Sequence, residues 1–123
     1  MTLTEDGNVG IGTSRPDYKL TVNGTIKART DVIVEDAGDW GDYVFNDNYK
    51  LMPLTELENY IKSNKHLPDI PTASDINTNG LKLAEMNTKM MKKIEELTLY
   101  IIKLNKQNQE LKLKVSELEN KIK

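Results

Sequence analysis

A single histidine and the absence of cysteine limit the chemistry that one copy of this 123-residue chain can perform. A histidine-based triad needs a nucleophile near His66, and structural or catalytic zinc sites need several cysteine or histidine ligands. None of the four serines lies in the context of a nucleophile elbow; they are Ser14, Ser63, Ser74 and Ser116. We interpret His66, two residues before Pro68, as a loop-packing residue. The sequence therefore predicts no catalytic residue and no enzymatic activity.

Carboxylates and glycines give no stronger sign of a reactive site. Glu56 and Glu58 lie two positions apart on a predicted helix, so they face different directions and make a poor acid–base pair. Aspartates between residues 36 and 47 suggest calcium, but their spacing does not match a calcium-binding loop. Gly10-Ile11-Gly12 lacks the third glycine and the following helix of a dinucleotide fingerprint. We expect no metal site and no bound cofactor.

Four of the seven aromatic side chains fall within ten residues and form what we call the aromatic patch; they are Trp40, Tyr43, Phe45 and Tyr49. Because aromatic side chains bury large areas, the favoured interpretation is a local core. The alternative is a ligand face for a cell-surface receptor or glycan.

The composition is thin for a monomer that must close its own core, with 37% hydrophobic, 6% aromatic and 29% charged residues. Residues 1–80 carry a net charge of −6 and residues 81–123 a net charge of +4. An acidic body disfavours nucleic acid as a partner. No run approaches the ~18 apolar residues that span a membrane, and the first six residues do not resemble a signal peptide. We expect self-association, no nucleic-acid partner and no membrane insertion.

The C-terminal third carries the strongest pattern, in which apolar residues recur at alternating steps of three and four. The heptad a positions are Asn87, Ile94, Ile101, Asn108, Val115 and Ile122. The d positions are Leu83, Met90, Leu97, Leu104, Leu111 and Leu118. No glycine or proline interrupts these positions, which we call the stripe. A period of 3.5 sustained in this way predicts a parallel, left-handed coiled coil over residues 81–123. The predicted interface between copies is the whole stripe except Asn87.

One alternative is that this helix packs on a globular body of the same chain. Tyr100 flanks the stripe, and three further apolar residues lie off it: Leu99, Ile102 and Leu113. We therefore expect part of the helix to touch another element as well. Isoleucine or valine at a, leucine at d and Asn108 at an a position favour two strands.

The N-terminal third is predicted to be β structure. In residues 7–13, glycines alternate with Val9 and Ile11, which is typical of strands in close backbone approach. Asn23-Gly24 could form a hairpin turn, but that register would mix apolar and polar residues on both faces. One extended strand over residues 20–34 keeps a single apolar face instead, so we favour it.

Residues 36–80 are predicted to form a small mixed cap. A helix over residues 53–63 opens with Pro53 and places Leu54, Leu57 and Ile61 on one face. A loop with two prolines follows it, and Asn-Thr-Asn-Gly at residues 77–80 breaks the chain before the long helix.

Several short motifs, in a fixed order, resemble phage tail-fibre-like proteins, of which bacterial genomes encode similar versions. The first are GNVGIGT at residues 7–13, Pro16, and YKLTVNGTIKA at residues 18–28. Further motifs look like the C-terminal cap of those proteins: DYVF at 42–45, YKL at 49–51, LxxLExxI at 54–61, HLPDIP at 66–71 and IEELTLY at 94–100. The resemblance covers nearly the whole chain.

This resemblance implies a homotrimeric fibre end whose cap promotes chain registration and folding. It implies a place on a virion tail fibre or on another extracellular or cell-surface appendage. The layout is also similar to the intramolecular chaperone domains of endosialidase-type tail spikes, which cleave themselves at a Ser-Asp motif. Ser74-Asp75 is the only such pair here and follows the body instead of opening the cap, so we expect no self-cleavage.

The heptads and the β segment predict different numbers of chains in the assembly. The heptads favour two copies, whereas the fibre resemblance and the long one-faced strand favour three. We expect three copies, because the β segment must bury its apolar face as well as the helix. Asn108 would then be a register-setting residue. The predicted fold is an elongated α+β parallel homotrimer: a β fibre segment at 1–35, a cap at 36–80 and a coiled coil at 81–123. The predicted function is trimerisation and C-terminal capping of a tail-fibre-like adhesive protein, with receptor or glycan binding by the aromatic patch as the alternative.

Overall fold

The computed structural model describes all 123 residues, which divide into two compact units, Met1–Ile33 and Val34–Lys123. It confirms the α+β class, because the first unit holds a small three-stranded sheet and the second a long C-terminal helix. None of the helices combines the length and apolar character needed to cross a bilayer.

The sheet of the first unit consists of β1 (Thr2–Leu3), β2 (Val9–Ile11) and β3 (Leu20–Val22), in that order. β1 pairs antiparallel with β2 through a turn in which Gly7 has φ 77°, a value that glycine adopts without steric cost. β3 lies parallel to β2. The sheet therefore combines one tight turn with one longer crossover.

Gly10 marks the close backbone approach that the alternating glycines predict. It is buried in the middle of β2, and a Cβ at this position would lie 2.5 Å from the carbonyl oxygen of Thr13. Pro16, also buried, lies on the same side. Any side chain at Gly10 would push apart the turn that follows β2.

The strand predicted over residues 20–34 is much shorter in the structure, where β3 ends at Val22. Gly12 has φ 75° and turns the chain away at the end of β2, so the ladder stops. Its last bond runs from the N–H of Asn23 to the carbonyl of Ile11, at 2.8 Å. No hairpin forms at Asn23-Gly24. The chain beyond β3 has no strand to pair with, and its larger apolar side chains are exposed: Ile26, Val32, Ile33 and Val34.

The second unit contains α1 (Leu54–Asn64), α2 (Ala73–Asn79) and α3 (Leu83–Ile122), preceded by a 3₁₀ turn at Tyr43–Phe45. α1 begins one residue later than predicted, after Pro53 as its N-cap. α3 spans 40 residues, which corresponds to about 60 Å at 1.5 Å per residue.

α2 is an element that the sequence analysis did not predict. Thr72 caps its N-terminus by accepting a bond from the N–H of Asp75, whose carboxylate accepts from the N–H of Thr72 in return. This reciprocal capping box satisfies two backbone donors that would otherwise lack partners. It also lowers the pKa of the Asp75 carboxyl, chiefly through the backbone bond from Thr72.

Residues 36–52 follow α3 in the same direction along its surface. Residues 36–39 lie beside the first turns of α3, Tyr43 lies beside Lys92, and Met52 lies beside Tyr100. The buried apolar side chains of this unit are Val44 and Tyr100, at 1% and 7% exposure. The interior of one copy is therefore very small, because most of its large apolar side chains face outward.

Candidate functional site

Two tyrosine hydroxyls attach α3 to the cap. The hydroxyl of Tyr49 donates to Glu96 Oε1 at 2.5 Å, and Lys93 Nζ donates to the other carboxylate oxygen at 3.1 Å. One helical turn further on, the hydroxyl of Tyr100 donates to the carbonyl of Met52 at 2.6 Å. Because these bonds are one turn apart, they set both the height and the rotation of α3 against the cap.

The environment of both tyrosines favours the protonated hydroxyl. Burial raises the pKa of Tyr49 well above its ordinary value of 10.0, and the hydrogen bond to anionic Glu96 raises it further. Burial also raises the pKa of Tyr100. Both groups therefore remain hydrogen-bond donors throughout the neutral and mildly alkaline range.

Asp69, in the loop after α1, provides a weaker link to the same part of α3. Its φ of 67° lies in the left-handed region, which residues with a side chain rarely adopt. Lys92 Nζ lies 2.8 Å and Lys93 Nζ 3.7 Å from the same carboxylate oxygen. The hydrogen bond from Lys92 lowers the pKa of the Asp69 carboxyl. Because the carboxylate is more than half exposed, such pairs contribute only about 0–1 kcal/mol.

All of these contacts lie on one side of α3. In the heptad frame, Glu96 is at position c, Lys92 at f, and Lys93 and Tyr100 at g. Positions a and d lie on a different face of the helix. The expectation that part of the helix touches another element is thus confirmed at Tyr100, whereas Ile102 and Leu113 are exposed. The hydrogen bonds and ion pairs between α3 and the cap come from residues outside the stripe.

The stripe is exposed along its whole length in the single chain. The exposed members are the predicted interface residues and Asn87: Leu83, Asn87, Met90, Ile94, Leu97, Ile101, Leu104, Asn108, Leu111, Val115, Leu118 and Ile122. Every residue of 101–123 is exposed as well. A continuous exposed apolar surface of this kind is typical of an interaction surface.

The aromatic patch is not a single cluster in the structure. The rings of Tyr43 and Tyr49 have centroids 6.0 Å apart, and the ammonium of Lys92 lies 6.0 Å from the Tyr43 centroid. Trp40 and Phe45 are half exposed, at 50% and 51%. The buried residue of this segment is the aliphatic Val44. Tyr49 therefore acts as a packing residue, whereas Trp40 and Phe45 remain half exposed.

A cleft of about 210 Å³ lies between the cap and α3. Its walls are mainly apolar and come from the segment before α1, from α1, from the loop after it and from α3; they include Met52, Leu57, Leu67, Leu97 and Tyr100. The lining also includes polar and charged residues: Tyr49, Lys50, Asp69, Lys93 and Glu96. Leu97 belongs both to this cleft and to the stripe, so the two surfaces are continuous.

His66 and Ser74, whose side-chain types are common in active sites, lie apart and not in one cluster. The ring of His66 lies edge-on against Tyr60, with centroids 5.6 Å apart, and Ser74 lies in the first turn of α2. No three acidic or histidine side chains converge in a way that could hold a metal ion. Glu95 is 7% exposed, and its Oε2 has no hydrogen-bond partner.

Sequence reasoning did not find all the residues that attach α3 to the cap. Met52 contributes a backbone carbonyl, which leaves no side-chain signature. Asp69 acts through an unusual backbone conformation in a loop, and no periodic pattern marks it. The Lys93–Glu96 pair did carry a signal, because residues three apart on a helix are neighbours.

Comparison with protein-family models, with curated proteins and with solved structures gave no match to this chain.

Proposed function

We propose that this chain is a structural trimerisation module that caps and helps to fold the C-terminal end of a tail-fibre-like adhesive protein. The single observation that carries the proposal is the exposed stripe of α3, which the cap leaves uncovered while it holds the opposite side of the helix. Burying one leucine-sized side chain contributes about 1.5–3 kcal/mol, so a second copy gains much by covering the stripe.

The first unit supports self-association independently. Ile26, Val32 and Ile33 are exposed and lack a partner strand in their own chain. A parallel assembly brings equivalent segments of the copies together, which raises their effective concentration. Three copies satisfy both the helix and this segment, so the assembly is a parallel homotrimer with α3 as a coiled coil.

The first test is the solution mass by light scattering. We expect about three times the protomer mass of 14.0 kDa. Leu104→Asp places a charge on the stripe and should give monomers, whereas Leu113→Asp, at an exposed off-stripe position, should leave the mass unchanged. A wild-type mass of two protomers would contradict the trimer, and a mass of one protomer would contradict the whole proposal.

The proposed setting is a virion tail fibre or another extracellular or cell-surface appendage, and no enzymatic step belongs to it. The role of Asp75 in the capping box of α2 supports this view, because the Ser74-Asp75 pair is thereby accounted for as helix-forming structure.

A second function, recognition of a cell-surface receptor or glycan, is favoured by the half-exposed rings of Trp40 and Phe45. Exposed aromatic faces stack on the apolar faces of sugars. Trp40→Ala should then abolish binding to host-cell glycans on an array while the trimer mass stays the same. Loss of folding in this variant would instead assign Trp40 to packing within the cap.

A further inference from the structure

The cleft opens on the flank of α3 that a neighbouring copy must approach if the stripe forms a coiled coil. Lys93 and Tyr100, both in its lining, occupy g positions. In a parallel coiled coil, a g residue of one helix faces the e residue five positions further along in the next helix. The cleft therefore faces the segment between Thr98 and Asn105 of that neighbour.

The edge of α3 that would face the cleft is uncharged over this stretch. Its e and b positions are occupied by Thr98, Ile102, Asn105 and Gln109. Coiled coils usually place glutamate or lysine at e and g, where the side chains form ion pairs between helices. An uncharged edge suits a mainly apolar cleft, because the docking helix then brings no charge of its own out of water.

Ile102 is the one large apolar residue on this edge. It lies at a b position, outside the stripe, and its side chain is 46% exposed in the single chain. By sequence it falls midway between Thr98 and Asn105, the two residues that frame the cleft of the neighbour. The cleft volume of about 210 Å³ exceeds what one branched aliphatic side chain occupies.

We propose that the cleft is a docking site for α3 of a second copy of this chain, which inserts Ile102 between Leu57 and Leu97. The inference rests on the proposed function, since it requires parallel copies joined by the stripe. It adds a second layer to the interface, in which the cap of one copy grips the helix of the next. The contact between cap and helix then adds to the register preference that Asn108 gives the stripe.

The test uses the full-length chain and the absence of native cysteine. One sample of the protein carries Leu57→Cys and a second, size-tagged sample carries Ile102→Cys. The samples are mixed in denaturant, refolded together and treated with a short bismaleimide cross-linker. The matched control replaces Ile102→Cys with Leu113→Cys, which is exposed on the same helix but lies at an f position away from the cleft.

We expect a covalent product of one tagged and one untagged chain for Leu57→Cys with Ile102→Cys, and at least tenfold less product for the Leu113→Cys control. Light scattering of the same samples before cross-linking reports assembly separately. Trimers without the specific product overturn the docking inference and leave the proposed function intact. Monomers overturn both.

Discussion

Tyr49 links the cap to α3 through one hydroxyl that has Glu96 as its acceptor and is half-buried. Glu96 also accepts from Lys93, so its carboxylate is satisfied on both oxygens. A hydrogen bond to a charged group is typically worth about 1.5–3 kcal/mol, more than the exposed pair between Asp69 and Lys92 contributes. At the level of single residues, this bond therefore does more than the Asp69–Lys92 pair to fix how α3 packs on the cap.

The pH dependence of stability should report on Tyr49. Its pKa is raised on folding, so its contribution is fully present below the ordinary value of 10.0 and is lost as the pH rises beyond it. Tyr49→Phe should lower the free energy of unfolding by about 1.5–3 kcal/mol at neutral pH and reduce the further loss above pH 10. Denaturant unfolding at a fixed protein concentration measures both effects.

Tyr18→Phe is the matched control for Tyr49→Phe, because Tyr18 is exposed. If both variants show the same reduction in the loss of stability above pH 10, the bond between Tyr49 and Glu96 is not the origin of that loss.

The elements differ in how well the sequence specifies them. α3 is predicted because its pattern repeats over many turns and needs no information from elsewhere in the chain. The end of β3 was not predicted, because it depends on where its partner β2 ends, and that is decided by the φ of Gly12. α2 was missed although Thr72 and Asp75 have the spacing of a capping box, because the apolar periodicity of a seven-residue helix is too short to recognise.

The same contrast holds for the candidate site. The stripe was predicted residue by residue, and the structure places all of it on one uncovered face. The cleft could not be predicted, since it joins residues from four separate segments whose approach depends on Asp69, Met52 and the two tyrosines. Whether the stripe and the cleft bind other copies stays a prediction.

α2 depends on its N-cap more than on packing, because none of its residues is buried. Thr72→Ala removes the side-chain acceptor for the N–H of Asp75, and such changes typically cost about 1 kcal/mol. We expect amide hydrogen exchange over residues 73–79 to become about fivefold faster, as measured by mass spectrometry or NMR. Thr78→Ala, near the other end of α2, should change these rates little. Equal effects of the two variants would contradict a role for the capping box.

At the scale of the whole molecule, one copy has too small an interior to account for a 40-residue helix. Val44 and Tyr100 are the buried apolar side chains of the second unit, whereas the stripe exposes leucine, isoleucine and methionine over the length of α3. Isolated helices are only marginally stable in water, and in proteins most helical stability comes from tertiary packing. In the proposed trimer, that packing comes from the other copies, so stability should increase with protein concentration.

Asn108 tests whether the stripe is the interior of such an assembly. In the proposed trimer its amide is enclosed among the copies, and enclosing an amide costs roughly 1–3 kcal/mol relative to an apolar side chain. Asn108→Ile should therefore raise the unfolding midpoint. It should also broaden the distribution of masses, because a single polar a position favours one register and one number of strands.

Thermal unfolding and native mass spectrometry measure these two consequences of Asn108→Ile. Asn120→Ile is the control, since Asn120 lies at an f position that faces away from the stripe, and it should leave both the unfolding midpoint and the mass unchanged. A midpoint that falls or stays constant in Asn108→Ile would show that Asn108 remains in water, as it is in the single chain, where it is exposed. Because the midpoint rises only if replacing the amide relieves a cost of enclosure, a rise in Asn108→Ile that is absent in Asn120→Ile indicates that the stripe is covered.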